Sequence, residues 1–154
     1  MTSDLWTFAL RLYTEPGVEQ ACLRLQEAGA DVCLLLTACW LGRRGATFDA
    51  SRLDALNKVC EPWQEQVVKP LRELRQNWRT QAQDDQALAG LREQIKALEM
   101  DAERKLLARL EGATDGWAEG GLEQVQPWLM GICPGLDGAD RDALDLLRVA
   151  ALAL

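Results

Sequence analysis

Residues 53–78 read LDALNKVCEPWQEQVVKPLRELRQNW, and within them Leu53, Leu56, Cys60, Trp63, Val67, Leu71, Leu74 and Trp78 recur at intervals of three and four. That spacing lays a single apolar stripe along a helix. Pro62 and Pro70 fall inside the stripe, and each lacks a backbone donor, so a kink or short break is expected near both. The polar run Thr80 to Asp85 reads as a turn. Residues 88–110, LAGLREQIKALEMDAERKLLARL, then carry a second stripe through Leu88, Leu91, Ile95, Leu98, Ala102, Leu106 and Leu110, which stops at Gly112. Two stripes joined by a short polar connection predict an antiparallel αα-hairpin over 49–111, packed in coiled-coil fashion.

The flanking sequence keeps the helical period. Ser3 is a candidate N-cap for a helix carrying Leu5, Trp6, Ala9, Leu12 and Tyr13, ended by Pro16-Gly17. Val18, Ala21, Cys22 and Leu25 mark a second helix, with Gly29 in the place of a left-handed C-terminal cap. Asp31 can cap a third, Val32 to Leu41, which is apolar on all sides and reads as a buried core helix stopped by Gly42 and Gly45. After a loop from Gly112 to Gly121, short helices are expected over 122–132 and 141–152. No segment alternates with period two, so no strand is assigned. The expected fold is an all-α, single-domain helical bundle over 1–154. It divides into a three-helix segment (1–45), the long proline-kinked hairpin (49–111) and acidic C-terminal helices (113–154).

Composition narrows the chemistry. The chain has 154 residues, enough for one domain whose core needs no disulfide or metal. It holds six Trp against two Phe and one Tyr, and no His. Without His there is no Ser-His-Asp triad, no Cys-His pair, no His-ligated zinc and no Glu-x-x-His di-iron motif. Net charge is −7, distributed as −2 over 1–51, +1 over 52–110 and −6 over 111–154. An acidic surface repels phosphate backbones and disfavours general nucleic-acid binding. The five cysteines, Cys22, Cys33, Cys39, Cys60 and Cys133, form an odd set with no C-x-x-C pair, and no export signal or membrane-length apolar run accompanies them. Reduced thiols in a cytoplasm are therefore expected.

The runs Leu5-Trp6-Thr7-Phe8-Ala9, Leu12-Tyr13, Pro16-Gly17-Val18, Ala21-Cys22-Leu23-Arg24-Leu25-Gln26 and Gly29-Ala30-Asp31-Val32-Cys33-Leu34-Leu35-Leu36, with Trp40-Leu41, carry a resemblance. Together with Trp63, Val67-Val68, Pro70-Leu71-Arg72 and Arg75, they make the first half of the chain similar to a family of uncharacterised proteobacterial proteins of about this length, a domain of unknown function. The resemblance implies a small cytoplasmic bacterial protein and brings no activity, cofactor or catalytic residue.

Five constellations remain to be weighed. Two helices joined at Gly29-Ala30-Asp31 have the outline of a helix-turn-helix, but the second helix offers almost no side chain able to read a base edge, and a buried helical hairpin explains it. Lys69, Arg72, Arg75 and Arg79 form a basic row beside Trp78, suited to an acidic protein surface or structured RNA, and equally to a solvated helix end. Glu61 and Glu65 lie level with Glu99 and Glu103 across the hairpin, where four carboxylates could hold Mg²⁺ as in all-α nucleotide pyrophosphatases; their spacing is E-x-x-x-E, and a position towards the outside of the bundle is expected for all four. Asp137 with Asp140 reads as helix initiation rather than a calcium loop. Cys133, in a turn, is the cysteine expected to be most accessible, with nothing near it in sequence to lower its pKa.

Of the tryptophans, Trp6, Trp40 and Trp63 are assigned to the core, whereas Trp78 and Trp117 are candidates for recognition. The apolar run Val149 to Leu154 must be buried at home or against a partner. The leading functional expectation is a non-catalytic helical interaction module, an adaptor or regulator, which binds another protein through Arg72, Arg75, Trp78 and Arg79, with Trp117 as a second anchor. A second copy of the chain is an admissible partner. A Mg²⁺-dependent nucleotide hydrolase using Glu61, Glu65, Glu99 and Glu103 is one alternative, and structured-RNA binding along the basic row is the other. No cofactor and no membrane association are expected.

Overall fold

The computed structural model describes residues 4–154. Its helices are α1 (Leu5–Tyr13), α2 (Val18–Glu27), α3 (Val32–Arg43), α4 (Ala50–Trp63), α5 (Lys69–Asn77), α6 (Arg79–Ala82), α7 (Gln86–Ala113), α8 (Val125–Ile132) and α9 (Gly138–Ala153), with a π-helical turn, Gln64–Val68, between α4 and α5. Among the described residues there is no strand, so the chain is an all-α bundle as its periodicity implies. No helix among them is long and apolar enough to cross a membrane.

Helix ends follow the local chemistry. Ser3 lies outside the described residues, and Asp4 caps α1 by accepting from the Thr7 N–H at 2.7 Å. The Leu5 N–H, an orphan donor at the same end, reaches across to Glu111 on α7 at 2.5 Å. Gly29 adopts φ 101°, the left-handed cap its position predicts. Asp31 then starts α3 by accepting from the Leu34 N–H at 3.2 Å.

Helix α3 is the axis of the body. Residues 33–42 are all buried, and the helix packs against α1, α2, α4, α7, α8 and α9. It passes through Gly42, where the sequence suggests a stop, and ends at Arg43. Gly42 is there for close approach: a Cβ would lie 2.4 Å from the Val125 backbone of α8, while the Gln124 N–H donates to the Gly42 carbonyl at 2.8 Å. Fully buried Leu5, Leu12, Leu25, Leu106, Leu110, Leu129 and Leu147 close around Leu35 and Leu41 of this axis, each contributing roughly 1.5–3 kcal/mol.

The hairpin forms with two differences in detail. Helix α4 runs through Pro62, and the irregularity is concentrated in the π turn beyond it, where the Lys69 N–H reaches back five residues to the Gln64 carbonyl. Pro70, near the start of α5, has no donor to offer, and the wider turn before it makes room for its ring. The expected turn at Thr80 is partly helical, with α6 preceding the reversal, and Asp85 caps α7 by accepting from the Leu88 N–H at 3.1 Å.

The indoles divide between the core and its edge. Trp128 is fully buried and donates to the Ala46 carbonyl at 2.9 Å; Trp40 is also in the core. Trp6 and Trp63, expected in the core, are half-buried at its edge, each capped by a guanidinium, Arg104 over Trp6 at 4.8 Å and Arg109 over Trp63 at 4.0 Å. Trp63 ties α4 to α7 by donating to the Ala102 carbonyl at 2.9 Å. All five cysteines are free and buried, so Cys133, expected to be accessible, is not. The apolar C-terminal run is largely covered at home: Ala151 is buried, and Leu152 and Leu154 pack on the core, whereas Val149 stays 57% exposed.

Two glycines give a matched test of the helix packing. Gly42→Ala forces α8 away from α3 and should lower the unfolding free energy by about 2–3 kcal/mol in urea titration. Gly90→Ala, in α7 with open space around the added methyl group, should raise it by about 0.5–1 kcal/mol.

Candidate functional site

Beyond Val68 the hairpin leaves the core. No side chain from Lys69 to Leu98 is buried, and α5 and α6 pack against the π turn, each other and α7. This stretch is a two-helix arm. Leu71, Trp78, Leu88 and Ile95 are half-buried along its seam, but Leu74, Leu91 and Leu98 remain 36%, 51% and 53% exposed. Helical periodicity puts Leu91 and Leu98, seven residues apart, on one flank of α7, and in an antiparallel pair the flank of α5 that carries Leu74 lies on the same side. Asn77, Ala87 and Gln94, all exposed, complete a face without charge. The opposite side carries Lys69, Arg72, Gln76, Glu93 and Lys96.

Glu99 holds the arm to the body. Its side chain is 8% exposed and accepts from Arg75 Nε at 2.6 Å and from Arg72 Nε at 3.0 Å. Arg72 Nη2 also lies 3.5 Å from Glu103, and Arg92 Nε donates to the Arg75 carbonyl at 2.9 Å, which closes the set between α5 and α7. Burial alone would push the Glu99 carboxyl up, but the two guanidinium groups outweigh it and hold the pKa below the ordinary glutamate value. Arg75 is raised in turn by its hydrogen bond to Glu99.

The basic row is thus divided. Arg72 and Arg75 are spent on Glu99, Lys69 pairs with Glu65 one turn away, and Arg79 is exposed near the tip beside half-buried Trp78. The four glutamates are divided as well. Glu61 and Glu65 are exposed, Glu103 is half-buried, and Glu99 is buried rather than outward-facing, because the two arginines neutralise it. With guanidinium groups between the carboxylates, the quartet does not converge, and among the described residues no group of three or more His, Cys, Asp or Glu could hold a metal ion. Trp117 is not on the arm: it stacks on Trp128 with ring centroids 6.1 Å apart, under Arg52 at 4.8 Å, and helps to seal the core.

At the root of the arm lies a cleft of about 620 Å³, walled by the α2–α3 connection, α4, the π turn and α7. Asp31 and Glu103 are its half-buried acids. Asp31 accepts from Gln64 Nε2 at 3.2 Å, and Gln26 lies within hydrogen-bonding reach of the Arg72 guanidinium. Burial pushes the pKa of both Asp31 and Glu103 up; Arg72 pulls Glu103 the other way without reversing the shift. The thiols along this wall are inert for the same reason: burial raises Cys33 and Cys60 well above the ordinary value. Sequence reasoning assigned Asp31 only a capping role, and nothing local to it signals the cleft, which exists because α4 and α7 are brought over the start of α3.

These features define a class of protein: an all-α body, threaded by one buried helix, from which a clamped helical hairpin projects. The chain belongs to the family described as Protein of unknown function (DUF2390), whose model matches residues 4–110. The match spans α1 to α6 and nearly all of α7, so it contains the arm, the Glu99 clamp and all of the cleft's lining except Ile132, and leaves α8 and α9 outside. No curated protein and no solved structure matches the chain.

The clamp and the cleft give opposite pH signatures. A carboxylate with a depressed pKa stabilises the fold above its unfolded value and loses that contribution as pH falls through the folded one. Glu99→Gln should therefore cost roughly 2–4 kcal/mol at neutral pH, in urea titration, with the cost shrinking below about pH 4. Asp31, with a raised pKa, disfavours the fold as pH rises from the ordinary aspartate range through its shifted value. Asn caps a helix as well as Asp does, so Asp31→Asn should be more stable than the natural chain at pH 7 and lose that advantage on acidification.

Proposed function

We propose that this chain is a non-catalytic protein-interaction module, an adaptor or regulator of the bacterial cytoplasm, and that the arm is its docking element. The observation that carries the reading is the uncharged face of Leu74, Leu91 and Leu98 on a hairpin without a single buried side chain from 69 to 98. Two helices cover only the seam between them, so a flank with three open leucines is suited to a third helix laid into the groove. Covering the exposed part of each leucine is worth about 1 kcal/mol. The clamp supports the same reading, because it fixes α5 against α7 and so spares a partner part of the ordering cost.

The docking residues differ from those the sequence suggests. Arg72 and Arg75 act as positioning residues through Glu99, while Trp78 and Arg79 border the tip. With Arg72, Arg75 and Lys69 already paired, the row offers RNA little free charge, and guanidinium groups among the glutamates oppose Mg²⁺. Five free, buried thiols fit a reducing compartment.

A photo-crosslinking residue at Gln94 should yield one discrete protein adduct in living cells, abolished by Leu91→Asp combined with Leu98→Asp, whereas the same probe at Lys96 yields none. An adduct that survives the double substitution, or one seen equally at Lys96, would overturn the docking role of this face.

A further inference from the structure

The partner that the arm's geometry favours is a second copy of the same chain. We propose that two arms pair face to face, uncharged flank on uncharged flank, into a four-helix bundle with two-fold symmetry. The inference rests on the docking role of the arm and names its occupant. Three observations support it.

The first is electrostatic. Residues 69–99 hold six Lys or Arg and five Asp or Glu, a balance of +1, so the remainder of the chain carries −8 of the total −7. Two such chains repel if they meet body to body. The arm holds an apolar face clear of that acidity, and antiparallel pairing at the arms directs the two bodies away from each other. The second is self-complementarity. A two-fold interface brings one patch against itself, so any net charge in the patch would meet a like charge. Leu74, Asn77, Ala87, Leu91, Gln94 and Leu98 carry none, whereas the reverse side carries charges of both signs, Lys96 and Glu93 among them, that a two-fold contact would have to desolvate. Ala87 lets the facing helix approach closely, Leu91 and Leu98 supply knobs at heptad spacing, and Gln94 between them can bond to its symmetry mate.

The third is size. From Ala87 to Leu98 the face is about 18 Å long and two helices, or roughly 20 Å, wide, which gives about 400 Å² per copy. A standard stable interface needs about twice that. The pairing is therefore weak and reversible, and the chain exchanges between monomer and dimer as its local concentration changes. An arm with no buried residue suits such exchange, because separating the copies leaves the core untouched.

Sedimentation equilibrium of the full chain from about 5 µM to 1 mM should show a monomer passing to a dimer, with Leu91→Asp and Leu98→Asp together weakening association at least tenfold. All five native thiols are buried, so a single added one reports contact cleanly. Gln94→Cys should cross-link to itself with a short bis-maleimide, and Lys96→Cys should not. Circular dichroism and the melting temperature of each variant establish that it is folded. A natural chain that stays monomeric at 1 mM, a dimer indifferent to the double substitution, or a cross-link at Lys96→Cys as strong as at Gln94→Cys would each overturn the proposal. If the chain is monomeric while the Gln94 adduct in cells persists and depends on Leu91 and Leu98, the second copy is excluded and the docking role stands with another occupant.

Discussion

Helix α3 is buried on every side, and most of the structure follows from what that requires. A helix with no polar flank must be enclosed by neighbours, and six other helices enclose it. Enclosure at that density leaves no room for a side chain where α8 crosses, which is why Gly42 occupies the last turn of α3. The loop before α8 is drawn onto the end of α3 by backbone hydrogen bonds, Gln124 to Gly42 and Gly120 to Arg44, and Trp128, Phe48 and Trp117 pack over that junction. The tryptophan excess is spent largely here and at the edge of the core, on indoles that close gaps and donate to backbone carbonyls.

Enclosing α3 uses only part of the hairpin. From Glu99 onward α7 belongs to the body; before it, the helix has nothing to pack on but α5 and α6. The arm keeps its direction because α7 runs unbroken from it into the body. The Arg72, Arg75 and Glu99 set then fixes α5 against α7 through charge-assisted hydrogen bonds to one carboxylate. Two cations on one buried anion also explain why a basic row in the sequence is not a free basic surface. Most of the row's charge is used internally, and the exposed leucines lie on the other flank, where there is none.

Much of the architecture was legible in the chain. The three-and-four spacing located α1, α2 and both sides of the hairpin, Gly29 and Asp31 marked the junction of α2 and α3, and the apolar run Val32 to Leu41 announced a core helix. What periodicity could not resolve was the fate of residues whose character suits two environments. Glu99 fits a solvated helix face as well as a buried clamp, and the difference is made by arginines 24 and 27 residues away. Trp117 sits in a Gly-rich acidic loop, where its neighbours in sequence suggest exposure, and it is covered by residues 65 and 11 positions off, Arg52 and Trp128. Cys133 lies in a turn, yet its thiol is buried. Leu74, Leu91 and Leu98 read as seam residues because they belong to the stripe, although a stripe wider than two helices can bury leaves one edge in water.

The sequence alone determined that this protein is helical, that it has one core and a hairpin, and that histidine chemistry is closed to it, because period and composition are local properties of the chain. Tertiary structure decided which charges are consumed, which indoles are covered and which flank of the hairpin stays open. Burial and ion pairing depend on what arrives from elsewhere in the sequence, and helical periodicity fixes the direction in which a side chain leaves its helix without fixing what it meets.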